Sequence, residues 1–120
     1  MTFAESNQAT LENRQHERLN LVYDQIPGQF YIRHQNERIE LNYVNDVSLS
    51  GMGVLVSKEL QSGDKIIIGY EADGFSLELK AEVIWHDQCP DKSYRIGVRF
   101  STTNLNINEL MLTALKEYID

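Results

Sequence analysis

Between Phe75 and Trp85 the apolar residues Phe75, Leu77, Leu79, Ala81, Val83 and Trp85 fall on alternate positions. A helix would scatter them around its circumference, whereas a strand places all six on one face. Immediately before this run stands Asp73-Gly74, a dipeptide suited to a two-residue hairpin turn, and before that Lys65 to Glu71 with Ile66, Ile67, Ile68 and Tyr70. The pair therefore reads as a β-hairpin. The same grammar recurs at Gln29–Arg33, Arg38–Tyr43, Val54–Val56 and Tyr94–Phe100. Short strands joined by tight turns are antiparallel, and about six of them suggest a small closed barrel, which leaves no exposed sheet edge.

The connections support this reading. Ile26-Pro27-Gly28 is a turn or bulge signal, His34-Gln35-Asn36-Glu37 is a polar turn, and Gly97 leaves room for a close neighbour. Ile39, Leu41 and Tyr43 alternate with Arg38, Glu40 and Asn42, the period of a half-buried strand. After the last strand the period changes. Ile107, Leu110, Met111, Ala114, Leu115 and Tyr118 recur at helical spacing and predict a C-terminal amphipathic helix whose stripe covers the barrel. Asn106 is its expected cap, with Glu109 completing a capping box and Leu105 stapled to Leu110.

The chain of 120 residues is long enough for one domain with a real core, and its 42% hydrophobic content is that of an ordinary soluble protein. No apolar run approaches the roughly 20 residues of a spanning helix, and the first residues lack a basic stretch followed by an apolar one, so a cytoplasmic location without membrane insertion is expected. A lone Cys89 builds neither a disulfide nor a cysteine-rich metal site. The net charge of −7 opposes generic binding to DNA or RNA, whose affinity comes from neutralised phosphates. A small anionic ligand is different, because two or three local arginines suffice to hold it.

Candidate chemistry centres on Asn45 to Gly53, the strand-to-strand turn Asn-Asp-Val-Ser-Leu-Ser-Gly-Met-Gly. Asp46 offers a carboxylate and Ser48 a hydroxyl. Gly51 and Gly53 offer backbone able to take positive φ and to admit a ligand closely. The same residues also suit a plain Asx-type turn that only joins two strands. Upstream, Arg14 and Arg18 stand four apart at the end of a polar segment. If helical they share a face; if extended they lie roughly 13 Å apart at about 3.3 Å per residue. Glu12 and Glu17 are local partners, but surface ion pairs contribute under about 1 kcal/mol, so structure alone does not require two arginines there.

Arg14-x-x-x-Arg18 followed after one strand pair by Asp46-x-Ser48-x-x-Gly51 resembles the signature of PilZ domains, a family known as receptors for the bacterial second messenger cyclic di-GMP. The likeness extends to Ala81–Trp85 and Tyr94–Phe100, which look like the paired late strands of that family. It implies a six-stranded antiparallel PilZ-type β-barrel with a C-terminal α-helix, made by residues 14–120 as a single domain after a flexible arm of residues 1–13. It further implies that Arg14 and Arg18 clamp guanine edges and phosphates, that Asp46 accepts from guanine N1–H and N2, that Ser48 contacts phosphate or base, and that Gly51 keeps the approach clear. Guanidinium groups suit that clamp because they bind guanine O6 and N7 in bidentate fashion and also pair with phosphate. Trp85 is either a stacking surface or an inward core residue in phase with Val83; Arg95 and Arg99 are polar-face arginines that add charge. Many family members carry a further arginine where this chain has Asn13, a position the resemblance ties to whether one ligand or a stacked pair binds.

The expected function is that of a nucleotide-binding receptor with no cofactor besides its ligand, in which binding repositions the N-terminal arm and signals to an unidentified downstream protein. The alternative is a ligand-independent adaptor of PilZ type. An enzyme is not expected: His16, His34 and His86 are scattered with no catalytic spacing to Ser, Cys or carboxylate, and His86-Asp87 near Cys89 is too sparse for zinc.

Overall fold

The computed structural model describes residues 17–103 and 105–119. Arg14 and the expected arm of residues 1–13 lie outside them. Six strands form the body: β2 (Gln29–His34), β3 (Glu37–Val47), β4 (Gly51–Val56), β5 (Lys65–Ala72), β6 (Phe75–Gln88) and β7 (Tyr94–Phe100). They run side by side in the order β3-β2-β5-β6-β7-β4, and pairing of β4 back onto β3 closes the barrel. All these pairings are antiparallel. A two-residue strand β1 (Leu19–Asn20) adds to β3 through Leu19↔Val47 and Asn20↔Asp46.

The tight turns form where the sequence signals them. Asp73-Gly74 alone joins β5 to β6, with Gly74 at φ 73°, and Gln35-Asn36 joins β2 to β3 with both residues at positive φ, as the twist of a two-residue hairpin demands. Alternation then sends Phe30, Ile32, Val44, Val54, Ile68, Val83, Ile96 and Val98 inward, each at most 1% exposed. Within the Ile66-Ile67-Ile68 run the outer two are buried and Ile67 faces out, half-buried.

Helix α1 (Leu105–Leu115) packs against β6 and delivers Met111 and Leu115, both fully buried, to the barrel core. It begins two residues earlier than the capping pattern predicts. Asn106 is therefore inside the helix rather than its cap, and Leu105 and Leu110 are exposed rather than stapled. Polar Asn108 is the residue that the stripe overlooked: it is buried, and its side-chain amide donates to the Ser101 carbonyl at 3.1 Å, tying the helix to the end of β7. The tail and head of the domain also meet. Val22 N–H donates to Tyr118 O at 2.8 Å and Leu21 bridges Ile119, so the segment that carries Arg18 enters the fold between β3 and the C-terminus.

Three extra residues in the strands decide which side chains face out. In β3, Leu41 pairs with Val56 but Tyr43 with Leu55, and Val44 pairs with Val54 but Asp46 with Gly53. In β6, Val83 pairs with Val98 but Trp85 with Gly97. Each shift is a β-bulge, which turns the following residue to the opposite face. Tyr43, predicted on the core face, is consequently 39% exposed and rests against Tyr23 with ring centres 5.1 Å apart. Trp85, whose unbroken alternation would have paired it with buried Ile96, is 41% exposed.

Candidate functional site

The bulge at Asn45 makes the site possible. Without it, Asp46 would pair with Met52 and bury its carboxylate in the core; with it, Asp46 pairs with Gly53 on the outer surface. One rung then crosses five strands on the outside of the barrel, from Asn20 through Asp46, Gly53 and Gly97 to Trp85. Asn45 bears a cost of this arrangement, since its Oδ1 is buried without a hydrogen-bond partner among the described residues.

Arg18 reaches the rung from the strand entering beside it. Its Nη1 donates to Asp46 Oδ1 at 2.8 Å, with the two side chains 34% and 29% exposed. Two segments 28 residues apart in sequence thus meet at one corner. A partly exposed pair of this kind contributes under about 1 kcal/mol and gives way readily to a competing anion or hydrogen-bond donor.

The motif is less of a loop than the sequence suggests. Strand β3 runs through Val47 and β4 begins at Gly51, so the turn is confined to Ser48–Ser50. Neither Gly51 nor Gly53 adopts positive φ; both are extended strand residues. Gly51 is instead required by packing: a Cβ there would stand 2.2 Å from the Val98 carbonyl oxygen. Ser48 is 1% exposed, and its hydroxyl accepts from the amides of Ser50 and Gly51 at 3.1 and 3.2 Å. In this arrangement Ser48 builds the corner that holds Asp46. Ser48→Ala is expected to destabilise the fold by about 1 kcal/mol, because two turn amides lose their acceptor, a loss that urea denaturation reads directly.

At the other end of the rung Trp85 lies over Gly97, where a Cβ would come within 2.2 Å of its indole Nε1. The barrel uses the same device elsewhere: Tyr31 lies over Gly69. Tyr31, however, is only 5% exposed and donates to Glu78 Oε2 at 2.6 Å, with Arg38 4.0 Å above its ring. That hydrogen bond, aided by burial, raises the Tyr31 phenol above its ordinary pKa. Among the described residues Trp85 has no such cover beyond Arg95, whose guanidinium carbon is 6.0 Å from the ring centre, at the outer limit of a cation–π contact. One face of the indole is therefore seated on backbone and the other is open. Arg99 flanks Gly51 on the neighbouring rung. Gly53 and Gly97 as a backbone floor between Asp46 and Trp85 escaped the sequence reading, because the pairing of Gly53 with Gly97 joins residues far apart in the chain.

Among the described residues there is no cluster of three or more His, Cys, Asp or Glu placed to hold a metal ion, and no helix is long and apolar enough to cross a membrane.

No curated protein sequence matches the chain. The solved structures it resembles include the PilZ domain, with c-di-GMP, of YcgR from Escherichia coli (TM-score 0.66, 18% identity, 88% of this chain and 90% of that one). They also include the Bacillus subtilis inhibitor of motility MotI/DgrA (0.65, 17%, 87% and 50%) and the MrkH–c-di-GMP complex of K. pneumonia (0.59, 17%, 87% and 53%). The chain spans about half the length of the latter two. At these identities the likeness speaks for the fold. The model of the PilZ domain, by contrast, matches residues 12–119, nearly the whole sequence and both halves of the motif, so the chain belongs to the PilZ domain family.

Proposed function

We propose that this PilZ domain is a reversible receptor for cyclic di-GMP with no chemical turnover. The observation that carries the proposal is the 2.8 Å contact of Arg18 with Asp46, which brings the arginine segment and the Asp-x-Ser-x-x-Gly corner together beside a glycine floor. In this reading Arg14 and Arg18 bind guanine edges and phosphates, Asp46 accepts from a guanine's N1–H and N2 amino group, and Ser48 and Gly51 hold the corner in shape. A base stacks on the open face of Trp85. Two of the similar structures, YcgR and MrkH, contain c-di-GMP, which supports the ligand class.

Arg18 is anchored one residue before β1, whereas Arg14 belongs to the segment leading into it. Closure over the ligand is therefore assigned to Arg14 and the preceding arm of residues 1–13, whose new position is what a downstream protein reads, an order-on-binding switch. Titration calorimetry of the purified chain with cyclic di-GMP, with GTP and GMP as controls, tests the proposal. Saturable heat with the cyclic dinucleotide alone is expected. Heat no different from that of the controls refutes the receptor reading and leaves the ligand-independent adaptor.

A further inference from the structure

Along the barrel wall from that rung lies a second feature, which shares Arg99 with the edge of the site and is otherwise unused by the receptor reading. A groove of about 730 Å³ on the barrel wall is lined by Arg33, Lys65, Lys80 and Arg99, against which stands a single lining carboxylate, Glu82. This concentration of cations occurs in a chain of net charge −7.

Strand register orders the groove. Arg33 pairs with Ile67 and Ile67 with Lys80, giving one rung with a half-buried apolar side chain between two cations. On the next rung Lys65 pairs with Glu82 and Glu82 with Arg99. Lys65 and Arg99 share one Glu82 oxygen at 2.9 and 3.7 Å, and Lys65 followed by Arg99 holds that carboxyl below its ordinary pKa. Arg33 is engaged from outside the groove by Glu78 at 2.7 Å. Lys80 has no ion-pair partner among the described residues. The groove is thus under-neutralised, and the shortfall centres on the rung with the apolar floor.

We infer that this groove docks an extended acidic segment of a partner protein, in which carboxylates at alternate positions, projecting from one face, reach Arg33 and Lys80 and lay their methylene stems over Ile67 between them. The dimensions agree. Two strand spacings separate Arg33 from Lys80, about 9.5 Å, while alternate residues of an extended segment lie about 7 Å apart and glutamate side chains span the difference. A nucleic acid fits poorly, because its phosphates continue past the groove onto a chain whose remaining surface is acidic and gain nothing from Ile67. The inference stands whatever ligand the glycine rung takes.

The probe is a fluorescein-labelled synthetic peptide of alternating Glu and Thr, read by anisotropy in low salt and mapped by amide chemical shifts on the full chain. Saturable binding is expected, with shifts at Arg33, Lys65, Ile67 and Lys80. Lys80→Glu is expected to weaken it about tenfold and Lys80→Gln by less, with the melting temperature and the cyclic di-GMP titration unchanged. Equal binding of a Gln-Thr peptide, shifts that map elsewhere, or indifference to Lys80→Glu overturns the inference. So does preferential occupation of the groove by a single-stranded oligonucleotide, by phosphatidylglycerol vesicles, or by a second copy of the chain in a dimer that Lys80→Glu dissolves.

Discussion

Arg18→Ala is expected, on the receptor reading, to lower the affinity for cyclic di-GMP by about tenfold to a hundredfold, because it removes charge-assisted hydrogen bonds that contribute about 1.5 to 3 kcal/mol. The same change barely affects the fold. The Arg18–Asp46 pair is about one-third exposed and contributes under about 1 kcal/mol, so the melting temperature should move little. That separation of affinity from stability is what distinguishes a ligand contact from a structural salt bridge. Arg18→Lys sharpens the test, since it keeps the charge and the attraction to Asp46 but loses the planar fork that engages a guanine edge or a phosphate with two parallel bonds. Its affinity should fall almost as far as that of the alanine variant. Calorimetry on the two variants beside wild type, with melting curves on the same samples, gives both readouts. Unchanged affinity in Arg18→Ala would take this arginine out of the site, and a collapse of the melting temperature would make its role structural.

The barrel was legible because its signals are local. Alternation in Phe75–Trp85, the Asp73-Gly74 turn and the polar Gln35-Asn36 turn each concern a few neighbouring residues, and the structure follows them. The corner at Asp46 was legible in composition but not in geometry. Its working shape depends on bulges at Asn42 and Asn45, and bulges are settled by which partner residues remain after the barrel closes, not by the bulged residue's own chemistry. The same reason explains Trp85. Its alternation with Val83 pointed inward, and only the extra residue Ile84 turns it out. Positive φ was expected of Gly51 and Gly53 from residue type alone; the backbone there is extended, and the need for glycine comes from strands distant in sequence. The start of α1 was misplaced because Asn106 with Glu109 imitates a capping box one step inside the helix.

Glycines 51 and 97 have equally close neighbours yet call for opposite outcomes. A Cβ on Gly51 meets the Val98 carbonyl oxygen at 2.2 Å and its carbon at 3.3 Å. Both atoms are backbone of β7, which is held on its other side by β6, so neither yields without breaking rungs. Gly51→Ala is expected to destabilise the protein by about 1 to 3 kcal/mol, read by chemical denaturation. A Cβ on Gly97 meets the Trp85 indole at the same 2.2 Å, but that contact is the end of a side chain 41% exposed, which is free to rotate off the strand. Gly97→Ala therefore costs in stability only what the indole loses in leaving its seat over the buried Gly97, and its larger effect is expected in ligand affinity. Base stacking on an aromatic ring contributes about 1 to 3 kcal/mol, so displacing the indole is expected, on the receptor reading, to weaken cyclic di-GMP binding at least about fivefold. Trp85→Ala should do the same, and the double variant should add nothing, since both changes remove one interaction. Additive losses would separate the two residues, and intact affinity in Gly97→Ala would leave Trp85 as surface covering for the strand beneath it.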